Sequence, residues 1–200
     1  MKKYVCLLSA LCVFAVPAGQ VLAQEDLQST ATSYTEDARA ARITNLRSLY
    51  KINLTEKEKE IVAARCQEAQ KSLARITESL KSTHTKRSSD YSSVIALMAS
   101  LSALFQKEQI DSSNLDLLIV SYQQKKVLFE ERMSTYQTAL DDVVSIPCST
   151  EPENFRAALE GVRSARKDVV AVSADIQETT RASLKTTFDS LRLRLETKGQ

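Results

Sequence analysis

The amino-acid sequence predicts an all-α protein: an elongated antiparallel three-helix bundle or coiled coil over residues 55–200, preceded by a short extra N-terminal helix. Three observations point there. From Gln24 to Ile146 the chain contains neither glycine nor proline, and strand-rich domains need turns that draw on both. Aromatic residues are only 6% of the chain, whereas Ala, Leu, Glu, Lys, Arg and Gln, the better helix formers, abound. Apolar side chains also recur in steps of three and four, the spacing of one helix face.

Residues 1–23 are expected to be a secretory signal peptide. Lys2 and Lys3 precede a run from Tyr4 to Pro17 that is apolar apart from Ser9, and Val21-Leu22-Ala23 offers small or short residues to a signal peptidase. The rival reading is an uncleaved anchor, but the run is shorter than the roughly 20 residues a spanning helix needs. Pro17, Gly19 and Gln20 also interrupt it. No second apolar segment of spanning length follows, so no transmembrane segment is expected in the mature chain. Cys6 and Cys12 leave with the signal. Residues 24–54 read as a flexible segment holding one short amphipathic helix, with Ala38, Ala41, Leu46 and Leu49 on its apolar face and 24–33 unstructured.

Cleavage after Ala23 removes Lys2 and Lys3 from the 27 Lys and Arg, leaving a number equal to the 25 Asp and Glu. A neutral, charge-mixed chain has no electrostatic footprint for nucleic acid.

The first long helix is expected from about Thr55 to Gln106. Thr55-Glu56-Lys57-Glu58 has the form of a capping box. Val62, Cys66, Ala69, Leu73, Ile76, Leu80, Thr83, Arg87, Tyr91, Val94, Met98, Leu101 and Phe105 step along one face. Such a helix would span about 75 Å. Its weak point is 82–93, where Ser88-Ser89-Asp90 could cap a fresh helix. A turn at 110–113 follows, with Ser113 and Asp116 expected to cap the second helix. Leu115, Tyr122, Phe129, Tyr136 and Val143 then recur every seventh residue, with Ile119, Lys126, Met133 and Leu140 as companions. Pro152 opens the third helix, where proline is tolerated in the first turn. Its thin apolar stripe runs from Phe155 to Leu195, with Arg166, Ser173 and Thr180 interrupting it.

Cys66 and Cys148 remain after the signal is removed, and an even pair in an oxidising compartment favours one disulfide. Folding the first two long helices back about the turn places Asp142 level with residue 78. An extended path of six residues, about 20 Å, then carries Cys148 level with residue 65, beside Cys66. Two cysteines without histidine partners make a poor zinc site. The single histidine, His84, lies between Thr83 and Thr85 and reads as a surface or spacer residue rather than a catalytic partner of a cysteine.

No phosphate-binding loop, H-E-x-x-H, G-x-S-x-G or C-x-x-C occurs. The acidic turn 111–116 lacks the spacing of an EF-hand loop. Asp141-Asp142 and Glu130-Glu131 diverge around a helix and are expected to face solvent. Asn53-Leu54-Thr55 matches a glycosylation sequon, but Thr55 is better used as a cap. No catalytic, cofactor or metal residues are assigned, and an enzyme is not expected.

The segments Arg65-Cys66-Gln67-x-Ala69-Gln70, Ile146-x-Cys148, Pro152-x-x-Phe155-x-x-Ala158-Leu159-Glu160 and Asp175-Ile176 resemble those of uncharacterised exported helical proteins of small-genome candidate-phylum bacteria. The resemblance covers about residues 60 to 196. It implies a three-helix body and the cysteine pair, and implies no activity. The functional expectation is a non-enzymatic spacer or interaction protein of the periplasm, cell envelope or extracellular space. Its partner would be another protein or a second copy, met through helix faces. The alternative is a module that binds a small ligand or a lipid or cell-wall surface.

Overall fold

The computed structural model describes residues 22–198, with side chains from 36 to 196. The expected signal peptide lies outside the described residues up to Val21. The described residues are helical throughout apart from short connections, with no strand. None of their helices is long and apolar enough to cross a membrane. The chain divides into two units, 1–41 and 42–200. The first helix, α1 (Leu22–Leu49), spans that boundary, followed by α2 (Glu56–Lys107), α3 (Ser113–Ser145), α4 (Pro152–Glu178), a π-helical turn (Thr179–Ser183) and α5 (Leu184–Lys198).

In the first unit the backbone is helical from Leu22 onward, so the stretch 24–33 expected to be unstructured is not. The expectation weighed the missing apolar period. No glycine or proline lies between Gln20 and Pro147 to stop a helix.

In the second unit the end of α1 buries Ile43, while Leu49, expected on the apolar face, is 66% exposed. The helix is set by Ile43, Leu46, Arg47 and Tyr50, which share one face and are at least half-buried.

Helix α2 begins where the capping box put it. The Thr55 hydroxyl accepts the Glu58 N–H at 3.4 Å, and the Glu58 carboxylate accepts the Thr55 N–H at 2.8 Å. Satisfying two free donors at once favours this start by about 1 kcal/mol. The helix then runs unbroken for 52 residues. Across the expected weak point Ser92 and Ser93 donate to the carbonyls of Ser88 and Ser89, and the Ser88 hydroxyl reaches Glu130 on α3.

Two helices end without glycine. Lys51 and Gln109 adopt left-handed φ angles of 51° and 57°. Around each the N–H groups fold back: Lys51 to Ser48 and Ile52 to Arg47, Gln109 to Gln106 and Ile110 to Phe105. Both are Schellman closures on a residue that carries a Cβ. Ile110, buried at 7% exposure, supplies the apolar contact that usually accompanies this turn.

The cap expected at Ser113 and Asp116 is different. Ser112 is the N-cap residue, Asp111 accepts the Ser113 N–H at 3.0 Å, and the Asp116 carboxylate takes the hydroxyls of Ser102 and Ser112. A carboxylate within reach of a hydroxyl on the preceding helix outcompetes the local cap.

Helix α3 returns along α2. Ser102 meets Asp116, His84 meets Glu130, and the Gln70 amide donates to the Ile146 carbonyl at 2.9 Å. Its heptad residues Leu115, Tyr122, Phe129, Tyr136 and Val143 are all buried. Helix α4 packs on the other flank of α3, burying Phe155, Ala158, Val162, Val169 and Ile176. A Cβ on Gly161 would lie 2.9 Å from Leu46 Cδ1, so that glycine lets α1 close onto α4. α2 and α4 both lie along α3 and meet each other over only a short stretch. The third long helix was expected to be continuous, but the π turn interrupts it at Thr179, where the Thr179 and Thr180 hydroxyls bond to carbonyls four residues back.

Candidate functional site

Cys66 and Cys148 form a disulfide with Cα atoms 5.5 Å apart. The approach differs from the expected extended path. α3 stays helical to Ser145, and a turn in which Thr150 N–H reaches the Pro147 carbonyl covers the rest.

The register of α2 in its middle differs by one residue from the expected seam. Thr83 and Arg87 were expected to face α3, but His84 and Ser88 do so. Both series average 3.6 residues per turn between Leu73 and Tyr91 and carry polar residues there, so apolar spacing alone could not separate them. Glu130 on α3 decides the matter: its carboxylate contacts the Ser88 hydroxyl and His84 Nε2. Lys126 lies 3.4 Å from the same carboxylate. Burial pushes the Glu130 carboxyl up, yet Ser88, His84 and Lys126 outweigh it and hold the group below its ordinary range. His84 is therefore half-buried and partnered, not a spacer, and it meets the Phe129 ring edge-on at 6.1 Å.

A serine, a histidine and a carboxylate together invite a catalytic reading. In a nucleophilic triad the histidine stands between the other two, so that it can take the serine proton. Here the carboxylate stands between them. The Ser88 hydroxyl donates a hydrogen bond to Glu130, and the arrangement pins α2 to α3.

Asp142 also departs from expectation. It is 7% exposed and receives Arg42 Nε at 2.8 Å and Nη2 at 2.7 Å. A two-pronged guanidinium contact is what makes burial of that carboxylate tolerable. Asp141, its neighbour, is exposed as expected. Among the described residues no group of three or more His, Cys, Asp or Glu could hold a metal ion.

Between α2 and α4 lies a groove of about 940 Å³. α3 supplies its floor through Tyr122, Met133 and Tyr136, and Leu80, Val94 and Val169 line its walls. The Tyr122 phenol, raised by burial, bonds to the Thr180 hydroxyl at 3.2 Å. Arg87, Arg166 and Arg181 also line this groove, opposed by one acid, Asp90. Arg87 donates to the Ser173 hydroxyl at 3.1 Å. No carboxylate among the described residues pairs with any of the three, nor with Arg65 or Arg75 outside the groove, whereas Arg42, Arg47, Arg132, Arg156, Arg163, Arg192 and Arg194 each have one. Periodicity places Arg87, Arg166, Ser173 and Thr180 as interruptions of two separate seams. That two helices interrupt at the same level was the signal of a lined groove.

Further along α2, on the side that faces the groove, Leu97 and Leu104 are 58% and 57% exposed. No protein-family model, curated protein or solved structure matches this chain, so its function has to be read from its own residues.

Proposed function

We propose that the chain is a non-enzymatic, extracytoplasmic helical interaction protein, built as an elongated antiparallel three-helix bundle with coiled-coil-like seams. One observation carries this reading: a 52-residue helix that keeps large apolar side chains, Leu97 and Leu104, exposed one and two heptads beyond the groove residue Asp90. A helix buries one face against its own fold, and apolar residues on a second face invite another protein's helix. The Cys66–Cys148 disulfide supports an oxidising compartment, and the layout of residues 1–23 supports export.

The test is expression of the full chain in a bacterium. The envelope fraction is expected to hold a product beginning at Gln24, and a partner captured there should bind again when both components are purified. A product retained uncleaved in the cytosol would contradict the export part. Failure of every captured protein to rebind, with melting raised by a small ligand alone, would favour a ligand-binding module instead.

A further inference from the structure

The spacing of the groove cations extends the interaction reading, on which the assignment of a docking partner rests. Arg166 and Arg181 stand on the α4 side, and Arg87 reaches across from α2 to Ser173, which lies between them in sequence. From Arg166 to Ser173 is seven residues and from Ser173 to Arg181 eight, so at about 1.5 Å per residue the three cations succeed one another at intervals of roughly 11 Å. All three are exposed, and none is neutralised by a carboxylate among the described residues.

A single-headed amphiphile has one charge to offer three cations spread over about 20 Å. A helix lying along the groove advances about 10.5 Å every seven residues. We propose that the α2–α4 groove docks an amphipathic helix of a partner protein, with apolar side chains on the Tyr122–Met133–Tyr136 floor and acidic residues repeating every seventh position against Arg87, Arg166 and Arg181. Arginine suits this role because its planar fork meets a carboxylate with two hydrogen bonds. The open mouth of the groove gives a helix access along its length; Val94 lines it, and Leu97 and Leu104, one and two heptads beyond Asp90, are exposed on the same side of α2.

The probe is a synthetic helix-forming peptide of about three heptads, with leucine at a and d and glutamate at every e position. Its mate carries lysine in place of glutamate. Binding to the full mature chain is read by fluorescence anisotropy. The glutamate peptide should bind at least about tenfold tighter than the lysine peptide, and the difference should shrink with added salt. Joint substitution Arg87→Gln, Arg166→Gln and Arg181→Gln should abolish that preference. Because the three side chains are exposed, the melting curve should barely move. Joint replacement by glutamate should turn the preference toward the lysine peptide, which no loss of folding could mimic.

Equal binding of both peptides, or of neither, would overturn the inference. If a captured envelope protein still bound the arginine-to-glutamine variant as tightly as the parent chain, the inference would fail while the interaction reading survived. If dodecanoate alone bound in an arginine-dependent way and no peptide or protein did, both would fail. Self-association of the chain through this groove, read by light scattering and lost in the glutamine variant, would also overturn the inference.

Discussion

Near the disulfide, Leu140, Val143 and Cys148 are completely shielded from solvent, and Ala157 and Ala158 let α4 approach closely. Some twenty residues away along the same helices, α2 and α3 meet through His84, Ser88 and Glu130, and α2 and α4 part around a groove. The first region is held by apolar burial and a covalent link, which lose little by being inaccessible. The second adds hydrogen bonds, whose net contribution is about 1 kcal/mol each, around the buried Phe129, and it leaves cationic groups exposed. Close apolar packing and exposed charge thus sit at different levels of the same helices.

The largest expected effect belongs to the tight region. Replacing both Cys66 and Cys148 by serine opens a cross-link spanning 82 residues, which should cost about 4 kcal/mol in the chain-entropy account, read as a large drop in melting temperature. An unchanged melting curve would show that this end does not depend on the link. Next, Leu140→Ala should cost about 3 kcal/mol, and His84→Ala, in the polar middle, about 1 kcal/mol. Urea titration of the two variants sharpens the contrast, and equal losses would break it.

A smaller effect concerns pH. Glu130 is held below its ordinary range in the folded chain, so it binds a proton less readily there than in the unfolded chain, where the value is about 4.3. Its stabilisation is complete above that value and is lost as pH falls through the lowered folded value. Glu130→Gln should therefore be less stable than the parent near neutrality and should lose less of its stability on acidification. Parallel acid limbs for the two proteins would contradict the role given to Glu130. Smallest of all, Gln109→Gly should stabilise by about 0.5 kcal/mol, because the left-handed turn at φ 57° suits a residue without a Cβ. Thermal melting of that single variant checks it.

Legibility in the sequence tracks the strength of each local signal. The capping box at Thr55 and Glu58, the heptad from Leu115 to Val143 and the proline at the start of α4 are short-range rules, and each leaves its mark in adjacent residues. The juxtaposition of Cys66 and Cys148 could be read because a hairpin turns helix length into position. The middle of α2 was illegible in register: choosing between Thr83 with Arg87 and His84 with Ser88 required knowing that Glu130 waited on α3. The Arg42–Asp142 pair bridges 100 residues, and no periodicity within either helix records a partner so distant. Helix ends at Lys51 and Gln109 were hidden because the usual glycine is missing. The groove could be read only in fragments, as separate polar interruptions.

Native-state hydrogen exchange on the chain beginning at Gln24 tests the division between the two regions most directly. Amides from Tyr136 to Val143 and from Phe155 to Ala165 should exchange only through global unfolding, and those around Glu130 and the Thr179–Ser183 turn should exchange through smaller local openings. Equal protection in both regions, or greater protection at the π turn, would contradict the account.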